Sequence, residues 1–420
     1  MRFTKRTIVV VVSIAVAVAM SGCGHLHGLL GGHRGSGVLS QSPANSSANS
    51  SVSSPSGQSI TPSTALATSQ YPNGISPSWL SSQIGAWSGA TQDPLILSPT
   101  LAGASYDNVS EPYNTTGVIN NELSMLEATG AQAITIDLGY DPWLSNDSAT
   151  IAKDTSIINS IRSSGHLVVI KDASAERYRH SQLPWSQFVS AWVQRVKTIA
   201  ALFHPDYYTV IKEPPWYAPM IAGLSRSNIN SPADQQVDNV NSWTSLLSQL
   251  ITAVKSVSPS TKVGIAVDGN VYNHSIGDTL DMKLMQAAVN MPGLGFLGFD
   301  IYTANAFYDT QAFLKQFGTG GKAIWINEAW STTAPSSSPA IQAQLDPLWA
   351  QALLDFTKTI GAQGVSPFYT NFFASYQPPP TSSSALLSFY NGRTSVFDAF
   401  KNYETQCHSR LSSYQTSTPC

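Results

Sequence analysis

The sequence predicts an α/β chain folded as a (β/α)8 TIM barrel, preceded by a signal peptide and a disordered Ser/Pro-rich tether. Three observations carry that expectation. From Pro77 to about Tyr403, short runs of β-branched and aromatic residues alternate with longer segments of helical periodicity, making eight strand–helix units in about 330 residues. Strict alternation at this length favours a closed barrel over a doubly wound sheet. The turn after the first strand, Leu101-Ala102-Gly103-Ala104-Ser105, lacks the glycine spacing of a dinucleotide-binding fold.

The chain before the barrel divides in two. Arg2, Lys5 and Arg6 precede the apolar run Thr7–Met20, which is too short for a comfortable permanent span and reads, over residues 1–22, as a signal peptide. Met20-Ser21-Gly22-Cys23 resembles the lipobox of bacterial lipoproteins, with Met where Leu is usual. On that reading Cys23 is lipidated and anchors an exported chain to a bacterial membrane face. A plain signal peptide with an incidental cysteine is the alternative. Residues 23–75 are Gly/His-rich and then Ser-rich, with almost no charges or aromatics, so they predict a flexible tether. His25, His27 and His33 lie in it, either as exposed side chains or as a metal site.

The barrel is expected over residues 76–405, with Trp79 and Trp87 plugging or flanking it. Its strands are Pro94–Leu101, Ala131–Leu138, His166–Asp172, Tyr207–Glu213, Lys262–Asp268, Gly295–Tyr302, Lys322–Glu328 and Gly364–Tyr369. The fourth opens with five β-formers in a row, Tyr207, Tyr208, Thr209, Val210 and Ile211, and is stopped by Pro214-Pro215, which cannot donate to a ladder. Helices are expected at Val118–Thr129, Thr150–Ser163, Trp185–Phe203, Ala233–Val257, Thr279–Val289, Thr310–Phe317, Ala340–Ile360 and Thr394–Tyr403. Phe188, Val189, Trp192, Val196, Ile199 and Ala200 show the helical spacing most clearly. Residues 406–420 form a tail in which Cys407 and Cys420 either close a disulfide or stay as free thiols.

Composition narrows the function. The net charge is -3 and only 11% of residues are charged, so no basic surface is available to neutralise phosphates and nucleic acid is excluded as a partner. No cofactor motif and no Cys-x-x-Cys or His-Glu-x-x-His spacing occurs, so neither cofactor nor metal is expected in the barrel. His166 and His204 fall at helix–strand junctions on the rim opposite the site, where structural roles are expected. A monomer is expected.

In a barrel of this kind the site forms at the C-terminal strand ends. Those ends carry Asp137; Lys171-Asp172; Lys212-Glu213 followed by Trp216 and Tyr217; Asp268; Asp300 and Tyr302; Asn327-Glu328 followed by Trp330; and Tyr369. Aromatic rings stack on the apolar faces of sugars, and Asp, Asn and Arg partner hydroxyls, so a carbohydrate substrate is expected. Asp137, Asp172, Asp300, Lys212, Asn327, Trp216, Tyr217, Trp330 and Tyr369 are the candidate binding residues, with helix capping or loop contacts the alternative for the acids. Cleaving a glycosidic bond needs one protonated and one ionised carboxyl. Glu213 and Glu328 end the fourth and seventh strands, on opposite sides of the mouth, and are the candidate pair.

These residues resemble the clan A glycoside hydrolases, which place an acid/base Glu in an Asn-Glu-Pro motif at the end of the fourth strand and a nucleophile Glu at the end of the seventh. Glu213-Pro214 and Glu328 match those positions, and Tyr302 matches a Tyr that contacts the clan's nucleophile. The resemblance implies a retaining β-glycosidase, with Glu328 attacking the anomeric carbon and Glu213 protonating the leaving oxygen. Lys212 stands where the clan has Asn. It could replace that donor or pair with a neighbouring acid, and if close it would lower the pKa of Glu213. A Schiff-base lysine is a further option. Strand alternation points Lys212 away from Glu213 unless a bulge turns both inward. The departure keeps open a second function, a non-catalytic glycan-binding or scaffolding lipoprotein.

Overall fold

The computed structural model describes residues 75–88, 95–101, 115–138, 148–172, 185–214, 239–269, 279–330, 339–367 and 371–411, the side chains of 406–411 excepted. The segments 1–74 and 412–420, with Cys23 and Cys420, lie outside the described residues, as do Trp216, Tyr217, Tyr369 and the side chain of Cys407.

Among the described residues the eight strands are all parallel: β1 (Ile96–Leu97), β2 (Ala133–Leu138), β3 (Leu167–Asp172), β4 (Tyr207–Lys212), β5 (Lys262–Asp268), β6 (Phe296–Ile301), β7 (Ala323–Ala329) and β8 (Ala362–Pro367). They run β1-β8-β7-β6-β5-β4-β3-β2 around one sheet. A parallel bridge between Thr100 and Thr135 and the bonds Leu101 N to Thr135 O (2.9 Å) and Thr135 N to Pro99 O (3.0 Å) join β1 to β2. The sheet is therefore a near-closed barrel, and the (β/α)8 expectation holds. Strands buried on both faces read as continuous apolar runs, which is why they were legible in the sequence.

Among the described residues the helices are α1 (Pro77–Trp87), α2 (Thr116–Glu127), α3 (Ser148–Ser163), α4 (Trp185–Phe203), α5 (Val240–Val257), α6 (Thr279–Val289), α7 (Ala304–Phe317), α8 (Pro339–Ile360), α9 (Asn371–Ala374), α10 (Ser383–Phe389) and α11 (Ser395–Leu411). In α4, Phe188, Trp192, Val196, Ile199, Ala200 and Phe203 are buried, the face that the spacing marked. Helix α7 starts earlier than expected, because Thr303 caps it by accepting from Ala306 N at 3.2 Å. Strand β8 begins at Ala362 rather than Gly364, β1 is only Ile96–Leu97, and α11 continues through 405 to Leu411. Residues 233–238 of the expected fourth long helix lie outside the described residues. Helix α1 flanks the barrel rather than plugging it: Trp87 packs on Phe307 of α7 (ring centroids 5.2 Å) and Phe356 of α8 (5.0 Å).

The barrel interior is layered. Its lower end is filled by Ile96, Ala133, Val169, Tyr207, Phe296 and Trp325. Tyr207 and Trp325 lie 4.4 Å apart by ring centroid, and Phe296 lies 5.7 Å from Trp325. Gly264 and Gly364 make room for the rings, since a Cβ there would stand 2.1 Å from Phe296 and 2.5 Å from Trp325. Next comes a hydroxyl layer: Ser98 and Thr135 bond at 2.7 Å, Thr135 and Ser366 at 3.1 Å, and Trp325 Nε1 donates to Ser366 at 3.2 Å. Above it the lining becomes charged.

Candidate active site

Two register shifts build the charged layer. In β4, Thr209 pairs with Gly264 but Ile211 pairs with Ile265, so one extra residue is inserted between them. The bulge reverses the alternation: Tyr207 and Thr209 face the interior, and so does Lys212. Glu213 follows with φ 45°, a left-handed conformation that an L-residue with a side chain adopts only at a cost of order 1–2 kcal/mol. That turn brings Glu213 inward beside Lys212, and its carboxyl comes within hydrogen-bonding reach of that of Asp300. In β7, Phe299 pairs with Ile326 but Asp300 pairs with Glu328, which inserts Asn327. Asn327 and the next residue, Glu328, therefore both reach interior partners. A bulge thus precedes each of the two candidate glutamates.

Glu328, only 2% exposed, is held on both oxygens. Lys212 Nζ donates to Oε1, Lys171 Nζ lies 3.5 Å from the same oxygen, and the Tyr302 hydroxyl donates to Oε2. Lys171 also donates to Thr100 Oγ1 at 3.3 Å and faces Asp137 Oδ2 at 4.0 Å. Asn327 Nδ2 donates to Asp300 Oδ1 at 3.1 Å, and Thr209 donates to Asn327 Oδ1 at 2.7 Å. Trp330 packs edge-on against Tyr302 with centroids 5.7 Å apart. Glu213, Glu328, Lys212, Asp137, Asp300, Asn327, Tyr302 and Trp330 are thus gathered at one end of the barrel.

Asp172 is not among them. Its Oδ1 pairs with Arg195 of α4, its Oδ2 accepts from Tyr208 at 3.1 Å, and it stands between sheet and helices rather than in the lumen. The inward residue of β3 is Lys171, continuing the parity of Leu167 and Val169. Lys171 and Asp268, read from the sequence as strand-end residues but not carried among the candidate binding residues, also belong to this charged layer. Period-two counting would have found Lys171 had the lumen face of β3 been known, but Leu167–Ile170 is apolar on both faces.

Burial and charge set the protonation states. Among the described residues of the mouth, five carboxyls (Asp137, Glu213, Asp268, Asp300 and Glu328) face two ammoniums, Lys171 and Lys212. Burial pushes Glu213 up to about 8; the Glu328 and Asp268 charges add to this, and Lys212 opposes it. Burial also pushes Glu328 up, but Lys212 and Lys171 outweigh it and, with the Lys212 and Tyr302 hydrogen bonds, hold it below the ordinary glutamate value. Burial raises Asp300 well above the usual aspartate range, with Glu213 and Glu328 adding. Asp137 is raised by burial against the pull of Lys171 and Lys212. At neutral pH Glu328 is therefore ionised while Glu213 keeps its proton. Lys212 does lower Glu213, but less than burial raises it, and its ammonium is engaged by Glu328. Among the described residues no group of His, Cys, Asp and Glu is arranged to hold a metal ion.

No protein-family model and no curated protein matches the sequence. Solved structures of similar fold include a family 1 β-glucosidase from Thermotoga maritima, 8% identical, with a TM-score of 0.47, over 77% of this chain and 98% of that one. Another is the β-glycosidase BGL167, 11% identical, with a TM-score of 0.47, over 72% of this chain and 88% of that one. At these scores the likeness carries no weight for activity or substrate.

Proposed function

We propose that the chain is a retaining glycoside hydrolase acting on a β-linked oligosaccharide or polysaccharide. The observation that supports it is a pair of buried carboxyls at one barrel mouth held in opposite protonation states, Glu328 by two lysines and Glu213 by burial. Glycosidic cleavage needs that division of labour. In the first step a Glu328 oxygen bonds to the anomeric carbon. The glycosidic C–O bond breaks with its electron pair going to the leaving oxygen, which takes the Glu213 proton. In the second step a water attacks the anomeric carbon, Glu213 takes a proton from that water, and Glu328 leaves as a carboxylate. Asp137, Lys171, Asn327 and Trp330 would meet the sugar, with Trp216, Tyr217 and Tyr369 as proposed stacking residues. The surplus of carboxyls favours a neutral or cationic sugar over an acidic one.

Aryl β-glycosides and a panel of β-glucans, mannans, xylans and galactans test the reading. Glu328→Gln and Glu213→Gln should each reduce hydrolysis at least about a hundredfold while leaving the folded circular dichroism unchanged. Proton NMR of the first product formed should show retained anomeric configuration. Normal hydrolysis by both variants would overturn the assignment. The second reading is a glycan-binding barrel without turnover. It has one observation on its side: both oxygens of Glu328 are already engaged. Binding without release of reducing sugar would favour it.

We also propose that Cys23 carries the lipid anchor, as the residues before it support. Among the described residues no helix is long and apolar enough to cross a membrane. Incorporation of labelled palmitate that is lost in Cys23→Ser would support the anchor, and unlabelled wild-type protein would refute it.

A further inference from the structure

The contact between Glu213 and Asp300 has a chemical consequence that rests on the proposed hydrolase reading. Two carboxyl groups in hydrogen-bonding contact cannot both be bare, because each oxygen is then only an acceptor. The surroundings decide where the proton sits. Asp300 is fully buried, and its Oδ1 accepts from Asn327 Nδ2 at 3.1 Å. Among the described residues neither its Oδ2 nor Glu213 Oε1 has a donor. The proton of Asp300 therefore belongs on Oδ2, the oxygen left free to donate.

We propose that Asp300 is a positioning residue for proton transfer: it keeps its own proton and donates a hydrogen bond to Glu213, stabilising the carboxylate that forms when Glu213 gives its proton to the leaving oxygen. The charged groups facing the pair act in both directions, and burial of Asp300 tips the balance toward the neutral form. Lys212 on β4 and Lys171 on β3 favour a negative Asp300, but both are engaged by Glu328; Glu328 on β7 disfavours a negative charge on either carboxyl, and Asp268 on β5, the register partner of Asp300, disfavours one on Glu213. Tyr302, just beyond β6, donates to Glu328 and supplies no proton to the pair. Asp300 thus stays a neutral donor through the cycle; only Glu213 changes state, losing its proton to the leaving oxygen and regaining one from the attacking water. Desolvated donors that meet charge as it develops are the interactions that lower a barrier.

Asp300→Asn and Asp300→Leu separate this role from a structural one. The asparagine amide keeps an acceptor for Asn327 and offers an N–H to Glu213 without an ionisable proton; leucine offers neither. Hydrolysis of alkyl glycosides, whose leaving groups need protonation, should fall ten- to a hundredfold in Asp300→Leu and no more than about threefold in Asp300→Asn. Dinitrophenyl glycosides, whose leaving groups need no proton, should lose less than threefold in both variants during glycosyl transfer to Glu328. An equal loss on both substrate types, or an asparagine as damaging as leucine, would overturn the proposal. Carbon-13 NMR titration of the glutamate carboxyls, assigned with Glu213→Gln, reads the contact without relying on activity. The Glu213 titration should move to higher pH in Asp300→Leu and stay near its wild-type position in Asp300→Asn. A titration unmoved in Asp300→Leu would refute the contact even in an active enzyme, and the expected movement in a protein that hydrolyses no glycoside would sustain the contact while refuting the hydrolase reading.

Discussion

Replacing Lys212 with Met tests the electrostatics of the site most directly. The change keeps side-chain length and removes the ammonium that meets Glu328 Oε1. Glu328 is buried, so it cannot recover the loss from water. Removing one partner of a buried ion pair costs roughly 3–5 kcal/mol. Lys171 remains 3.5 Å from the same oxygen, so the lower end, about 3 kcal/mol, applies here. At about 1.4 kcal/mol per pKa unit this raises the Glu328 pKa by about two units. Lys212 also lowers the Glu213 pKa, so Glu213 should rise as well. In the proposed mechanism the nucleophile must be ionised and the acid protonated, so Glu328 would set the acidic limb of the pH–kcat/KM profile and Glu213 the alkaline limb. Both limbs should therefore move toward higher pH, and the bell should translate rather than narrow. The assay is kcat/KM on an aryl β-glycoside from pH 4 to 10. An acidic limb that stays in place, or moves down, would refute the claim that Lys212 keeps the nucleophile ionised.

Two further predictions concern the folded state. The folded pKa of Glu213 is raised to about 8, so its contribution to stability is fully present below about pH 4.5 and is lost as pH rises toward 8, by up to about 1.4 kcal/mol per pH unit; Glu404, also raised by burial to about 8, acts in the same direction. Urea unfolding across that window should show a decline that is shallower in Glu213→Gln, and an unchanged slope would contradict the raised pKa. Arg195→Met should destabilise the protein by about 3–5 kcal/mol by leaving Asp172 buried without its cation, and Arg195→Met with Asp172→Leu should recover part of that loss. Thermal denaturation reads both, and a double variant no more stable than the single one would show that the pair does not act as a unit.

The order of elements was legible because strands buried on two faces and helices buried on one leave different periods in the sequence. Tyr207–Ile211 and Ala323–Ile326 announce strands, and Trp185–Phe203 announces a helix, from residue type alone. The same patterns put Glu213 and Glu328 at the ends of β4 and β7, so the candidate pair was visible before any coordinates. Which side chains enter the lumen was not. Leu167–Ile170 is apolar on both faces, so nothing local distinguishes Lys171, which enters the site, from Asp172, which leaves it for Arg195.

The sequence by itself determined the barrel and the strand ends that carry its carboxyls. Tertiary structure decided the chemistry of those carboxyls, through a bulge in β4, a bulge in β7 and a left-handed residue at Glu213. Each of these depends on pairing with a strand distant in the chain, and register is a property of the pair, which neither strand's own sequence encodes. Through them Lys212 meets Glu328 and helps to keep it ionised while burial keeps Glu213 protonated.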